Sequence, residues 1–128
     1  LTSARRLSVS RVSRLADASV SYSSLDGWRD RGRYDAFLGL LDDCWRTRAY
    51  GDFWSYMLLA EGAVDIATEP DLALHDMAAL VPVVEEAGGR FTGLDGRPGC
   101  WSGDAVATNG LLHDVVLSRL GTRAASRP

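Results

Sequence analysis

The sequence contains no lysine, has two cysteines and carries no excess of positive charge. All 14 basic side chains are arginines, and 17 acidic side chains outnumber them, which gives a formal net charge of -3. Nucleic-acid-binding domains normally show a basic excess, so this balance argues against a nucleic-acid partner. Cys44 and Cys100 form neither a metal-ligand pattern nor a disulfide framework, which predicts two reduced thiols in a cytoplasmic protein. No apolar run approaches the roughly 20 residues of a membrane span, and no membrane association is expected.

The remaining composition is that of one globular domain. A chain of 128 residues with 46% hydrophobic content is long enough for one domain with a core of its own. Segments with alternating or helical spacing of apolar residues follow one another in mixed order, which predicts the α/β class with about five strands in one mixed sheet and flanking helices. The predicted strands are 5–12, 19–25, 64–69, 89–94 and 104–110, and the predicted helical segments are 13–18, 34–48, 51–63, 76–87 and 111–121.

Three local expectations follow from the same patterns. The polar stretch 26–33 is predicted to be an exposed connection, and residues 121–128 a disordered tail. Helix 34–48 should bury one apolar stripe, formed by Phe37, Leu40, Leu41 and Trp45. Pro82 lies inside the predicted helix 76–87, beyond its first turn, and should kink it.

Acidic residues at one edge of the predicted sheet are the candidates for chemistry. Glu69 ends a predicted strand, Asp76 begins a helix seven residues later, and Asp52 follows Gly51 at another helix start. Open α/β sheets bind ligands at such an edge, and Mg²⁺ prefers carboxylate ligands. The alternative for Asp52 and Asp76 is a role in helix capping, and for Glu69 that of a solvated loop acid. Spacing alone leaves both interpretations open.

Residues 60–96, "AEGAVDIATEPDLALHDMAALVPVVEEAGGRFTGLDG", resemble the C-terminal signature of the inositol monophosphatase family. The shared features are a strand-ending Glu, an Asp at a helix start and Glu-Ala-Gly-Gly. Residues 48–70 are most similar to the histidinol-phosphate phosphatase branch, because Gly-Asp replaces the Gly-Ser/Thr-Ala of the inositol enzymes. The segment "VATNGLLHDVVLSRL" matches the closing strand and helix, so the resemblance covers about 48–120 and implies the C-terminal half of an αβαβα fold.

The resemblance also implies a role for each candidate residue. Asp76 would be a ligand of a Mg²⁺ cluster, and Glu69 would contact a substrate hydroxyl or amine. Asp52 would lie in a neighbouring turn that faces the substrate, and Arg48 would contact an anion or set specificity. His75 stands where most members have Trp, and both a packing role and a substrate contact are open.

The family's other metal ligands, an earlier Glu and Asp-Pro-x-Asp-Gly-Thr, have no match in this sequence. We therefore expect residues 1–128 to be the C-terminal domain of the enzyme, without catalytic residues of its own and inactive without the N-terminal metal-binding half. The implied reaction is Mg²⁺-dependent hydrolysis of a small phosphate monoester, histidinol phosphate, in which one metal ion activates water and another stabilises the leaving alkoxide. A homodimer is possible for this family. The alternatives are a phosphatase acting on inositol-1-phosphate or a related small molecule, and a non-catalytic module.

Overall fold

The computed structural model describes residues 7–23, 25–30, 32–49, 52–70, 78–99 and 102–120, with the backbone alone for residues 52 and 53. The expected start of a helix at Asp76 and the expected disordered tail 121–128 lie outside the described residues. A short 3₁₀ turn, Leu15–Asp17, precedes the first strand. The strands are β1 (Ser19–Ser21), β2 (Arg46–Arg48), β3 (Ile66–Glu69), β4 (Arg90–Thr92) and β5 (Ala105–Thr108). The helices are α1 (Asp26–Asp30), α2 (Tyr34–Asp43), α3 (Asp52–Ala60), α4 (Leu80–Glu86) and α5 (His113–Leu120).

The five strands form one mixed sheet in the order β2-β1-β3-β5-β4. β1 pairs in parallel with β2 and with β3, whereas β5 runs antiparallel to both of its neighbours, β3 and β4. Four strands therefore point in one direction and β5 alone points back. As a result the carboxyl ends of β1, β2, β3 and β4 lie at the same edge of the sheet. The predicted α/β class with a mixed five-stranded sheet and flanking helices is confirmed.

Each face of the sheet has its own hydrophobic core. On one face the buried strand residues Val20, Ile66 and Val106 pack against the helices α1, α2 and α5. On the other face Ala67, Ala105 and Ala107 pack against α3 and α4. Because successive strand residues alternate between faces, Glu69 lies on the same face as Ala67, the face that carries α3.

The predicted strand 5–12 is wrong for its described part. Residues 7–12 form an irregular segment across the amino-terminal edge of β3, where the Val9 amide donates to the carbonyl of Ala87 (3.0 Å). The Ser10 hydroxyl donates to the carboxylate of Asp65, the residue immediately before β3. The apolar side chains of this segment make other contacts, since Val9 lies beside Gly88 and Gly89 and Val12 packs against the core on the face that carries α1.

The stretch predicted as an exposed connection, 26–33, contains helix α1 instead. Its Trp28 is fully buried and stacks on Phe37 with ring centroids 4.3 Å apart. Burying an indole ring removes up to about 250 Å² of side-chain surface from water, which outweighs the polarity of its neighbours in sequence. One aromatic side chain therefore anchors a segment whose average composition is typical of a loop.

The predicted helix 34–48 is too long, because α2 ends at Asp43 and Cys44 has extended backbone angles. Residues 46–48 form the edge strand β2. Phe37 and Leu40 are buried as expected, but Trp45 is 62% exposed, with the guanidinium of Arg46 over its ring at 4.3 Å. The prediction that Trp45 completes the apolar stripe is therefore wrong.

Pro82 is the third residue of α4, but the backbone is helical at Ala78, and Ala79 also has helical angles (φ -76, ψ -22), so the start of this helix lies outside the described residues and the predicted kink at Pro82 stays a prediction. Beyond α4, Gly88 has φ +101, the left-handed exit that the sequence predicts. In the described part of the chain, no helix combines the length and the apolar character needed to cross a membrane.

Candidate active site

The carboxyl edge of the sheet brings Glu69 next to Ser23. Glu69 is the last residue of β3 and is only 3% exposed, which is unusual for a carboxylate. The Ser23 hydroxyl donates to Glu69 Oε1 over 2.5 Å. Ser23 thus supplies a hydrogen-bond donor to one of the two oxygens of Glu69. The sheet thus holds a buried acidic group at the edge where ligands bind in open α/β folds.

A second pair of hydroxyl groups joins β1 to α3 at this edge. The Oγ atoms of Ser21 and Ser55 are 2.7 Å apart, and both side chains are fully buried. Asp52 begins α3, one helical turn before Ser55, and the position of its backbone alone is described. The Ser21–Ser55 contact therefore fixes the start of the helix that carries Asp52 against the carboxyl end of β1.

Arg48 ends β2, directly opposite Ser21 in the parallel ladder. Its side chain is exposed, and its guanidinium donates to the neighbouring carbonyl of Thr47 (3.0 Å). The structure therefore places Arg48, the start of α3 and Glu69 along one edge, across the adjacent strands β2, β1 and β3. The sequence predicts this shared edge for Glu69 and Asp52, whereas it predicts Arg48 at the end of a helix, and the roles of all three residues stay predictions.

The proposed metal ligand, Asp76, and its neighbour His75 lie outside the described residues. Within the described ranges, no group of three or more His, Cys, Asp or Glu side chains is arranged to hold a metal ion. Two acids near the β4–β5 connection have structural partners: Asp104 accepts the Leu94 amide (2.8 Å), and Asp95 accepts the Ser102 hydroxyl (3.1 Å).

His113 is the one histidine within the described residues, and it is buried in the core on the opposite face of the sheet. Its Nε2 lies 2.8 Å from Thr92 Oγ1 and its Nδ1 lies 3.0 Å from Thr108 Oγ1. Burial lowers the pKa of His113 to about 4, with a smaller lowering by Arg90 and a partial compensation by Asp114. Both ring nitrogens are occupied and the ring is fully buried, so His113 is not placed to act as a general base.

Sequence reasoning missed Ser23 as a part of this site. Ser23 belongs to the stretch "SVSYSSL", whose alternation indicates a strand and nothing more. Its partner Glu69 lies 46 residues further along the chain. No local pattern signals such a contact, which depends on the parallel pairing of β1 with β3.

Comparison with known proteins agrees with the fold. The model of the inositol monophosphatase family matches residues 2–124. A histidinol-phosphatase of Streptomyces coelicolor is 63% identical over 123 residues, which cover 96% of this chain and 46% of that protein. A histidinol-phosphatase of Mycobacterium tuberculosis is 63% identical over 115 residues, which cover 90% of this chain and 44% of that protein. The chain thus spans less than half the length of these curated relatives.

A solved structure shows the same architecture. The inositol monophosphatase of Zymomonas mobilis superimposes with a TM-score of 0.82 at 29% identity, over 89% of this chain and 46% of that one. With a family model that matches nearly all of the sequence and two relatives at 63% identity, the chain belongs to the inositol monophosphatase family and falls in its histidinol-phosphatase branch.

Proposed function

We propose that this chain is the C-terminal half of a Mg²⁺-dependent phosphatase that hydrolyses histidinol phosphate to histidinol and phosphate. The observation that carries the proposal is the buried carboxylate of Glu69 at the carboxyl edge of the sheet, in a chain 63% identical to two histidinol-phosphatases. A carboxylate at this position offers a counter-charge to a cationic substrate group. Histidinol phosphate carries an amine that is protonated near neutral pH, whereas the inositol part of an inositol phosphate carries hydroxyl groups and no amine.

Each residue at the edge has a role in this proposal. Glu69 binds the substrate ammonium, and its burial strengthens the interaction because the surrounding dielectric is low. Arg48, exposed at the end of β2, contacts an anionic group of the substrate. Asp52, at the start of α3, contributes a second acidic group facing the substrate. None of these groups forms a covalent bond with the substrate, so this half binds and orients it.

The metal chemistry belongs to both halves in this proposal. Asp76 is the proposed ligand in this chain, and the N-terminal half, comprising the family's earlier Glu and Asp-Pro-x-Asp-Gly-Thr, supplies the others. Bound Mg²⁺ supplies Lewis-acid stabilisation of charge on the phosphoryl group. Support comes from the family and from the relatives' length, of which this chain spans 46% and 44%. The chain of residues 1–128 alone is therefore proposed to be inactive.

The test is a comparison of substrates with the enzyme of the relatives' full length. We expect a kcat/KM for histidinol phosphate well above that for inositol-1-phosphate, with activity lost when Mg²⁺ is chelated and absent from residues 1–128 alone. The Glu69→Gln variant should lose most of the preference while keeping the shape of the side chain. A higher kcat/KM for inositol-1-phosphate would refute the proposed substrate.

A second candidate is an inositol-1-phosphatase, or a phosphatase for a related small molecule. The structural similarity to the Zymomonas mobilis inositol monophosphatase, with a TM-score of 0.82 over 89% of this chain, favours it. A non-catalytic module would hydrolyse neither substrate even with both halves present. The cytoplasmic location and a possible homodimer remain predictions.

A further inference from the structure

We infer that Ser23 is a positioning residue that holds the Glu69 carboxylate for the substrate amine and thereby sets selectivity for amine-bearing phosphate monoesters. The inference deepens the proposed function and rests on it. Ser23 is exposed at the sheet edge, whereas Glu69 is buried. The Ser23 hydroxyl thus links an exposed position at this edge to a buried carboxylate.

The sheet register explains why these two residues meet. β1 pairs with β3 with Val20 opposite Ile66 and Ser21 opposite Ala67, so two residues further Ser23 comes level with Glu69. The extension of β1 is held in place because the Tyr22 amide donates to the carbonyl of Arg48 (3.1 Å).

Contacts beyond Ser23 hold the same segment from the other side. A carbon atom added at Gly27 of α1 would lie 2.8 Å from Pro70 Cγ, so the α1 backbone closely approaches the residue that follows Glu69. The buried Ser21–Ser55 contact fixes the strand two residues before Ser23. Ser23 is therefore presented by a segment tied down at both ends, as a positioning role requires.

The physical effect of the hydroxyl is to fix one carboxylate oxygen. A glutamate side chain has several rotatable bonds, and ordering them on binding costs conformational entropy. The Ser23 hydroxyl donates to Oε1 in the protein itself and so restricts these bonds before a substrate arrives. Loss of the hydroxyl should weaken binding of an ammonium group and leave binding of the phosphoryl group unchanged.

The other end of β3 provides a matched control. Asp65, immediately before the strand, is also buried, and it accepts a hydrogen bond from the hydroxyl of Ser10. Asp65 also accepts the amide of Ser19 (2.7 Å) and lies at the amino-terminal edge, away from the candidate site. Ser10→Ala therefore removes the same kind of serine–carboxylate bond at the opposite edge of the same strand.

The experiment compares Ser23→Ala, Ser23→Thr and Ser10→Ala in the full-length enzyme, with histidinol phosphate and with phenyl phosphate, a monoester that lacks an amine. We expect Ser23→Ala to raise the KM for histidinol phosphate about five- to tenfold, as for loss of one ordinary hydrogen bond. Its kcat and its KM for phenyl phosphate should change less than about twofold, within the range of an ordinary surface substitution.

Ser23→Thr keeps the hydroxyl and should restore the KM. Ser10→Ala should lower the urea midpoint of unfolding and leave both KM values unchanged.

The outcomes separate the inference from the function on which it rests. Equal increases in KM for both substrates, or a Ser23→Thr enzyme that behaves like the alanine variant, would overturn the positioning role while leaving the phosphatase activity in place. So would a Ser23→Ala enzyme that matches Ser10→Ala in every measurement. A wild-type enzyme that binds histidinol phosphate no better than phenyl phosphate would overturn the proposed substrate, and the inference with it.

Discussion

His113 should make the free energy of unfolding depend on pH through a single buried group. Its ring is fully buried between two threonine hydroxyls, at 2.8 Å from Thr92 and 3.0 Å from Thr108. Burial lowers its pKa from 6.5 to about 4, and Arg90 adds to the lowering. The unfolded chain therefore binds a proton near pH 6.5, whereas the folded chain resists protonation until about pH 4.

The sign and the magnitude follow from this difference. A lowered pKa in the folded state contributes stability that is fully present above pH 6.5 and is lost as the pH falls towards 4. The slope between the two pKa values is about 1.4 kcal/mol per pH unit. The expected loss is therefore about 2 kcal/mol between pH 7.5 and pH 5, and about 3 kcal/mol once the pH lies below 4.

The assay is urea unfolding of the purified protein at half-unit steps from pH 7.5 to pH 5, for the wild type and for His113→Gln. Glutamine keeps a polar group near the threonines and does not titrate, so the difference between the two curves isolates His113 from the carboxylates. His113→Gln should be less stable at pH 7.5, and the gap should narrow by about 2 kcal/mol at pH 5. Parallel curves across this range would refute the assignment of a lowered pKa to His113.

Two further predictions concern the packing of the two faces. Trp28→Ala should reduce the free energy of unfolding by about 3–5 kcal/mol, whereas Trp45→Ala, at a 62% exposed position, should reduce it by less than about 1 kcal/mol. Equal reductions for the two variants in urea unfolding would contradict the burial of the α1 segment. Gly89→Ala should destabilise the protein strongly, because a Cβ atom would lie 2.4 Å from the carbonyl oxygen of Thr108. In Gly39→Ala of α2 the Cβ atom would make an ordinary contact of 3.5 Å, so this variant should be neutral or stabilising by up to about 1 kcal/mol. Similar melting temperatures for the two variants would contradict this prediction.

The sequence predicts those parts of the fold whose hydrophobic spacing extends over a whole element. Helix α5 and strands β3 and β5 carry such patterns, and each appears where expected within a few residues. The elements that the sequence does not predict are short. Helix α1 has five residues and depends on the burial of Trp28, and β2 has three residues of which two are exposed arginines. Neither segment has a local pattern, because what stabilises each one is a tertiary contact: the ring of Phe37 for α1 and the ladder with β1 for β2.

The sequence predicts the edge of the sheet at which the candidate residues lie, but it does not predict the contacts between them. The spacing of Glu69 and Asp52 relative to their elements predicts one shared edge, and the structure places both elements there. The partner of Glu69, Ser23, requires knowledge that β1 pairs with β3 in parallel, which spacing within a segment does not contain. Whether Asp76 caps its helix or binds a metal ion stays a prediction, since it lies outside the described residues.

Strand β3 shows why an acidic residue cannot be assigned a role from its neighbours in sequence alone. It is bounded by two buried acids, Asp65 before it and Glu69 at its end, and each accepts a hydrogen bond from a serine. Asp65 also accepts the amide of Ser19 and so joins the amino-terminal segment to the sheet at the edge where the parallel strands begin. Glu69 lies at the edge where these strands end, level with the start of α3 and beside an exposed hydroxyl. The two buried acids therefore differ in their position along the strand direction, since only Glu69 lies at the edge where open α/β sheets bind ligands.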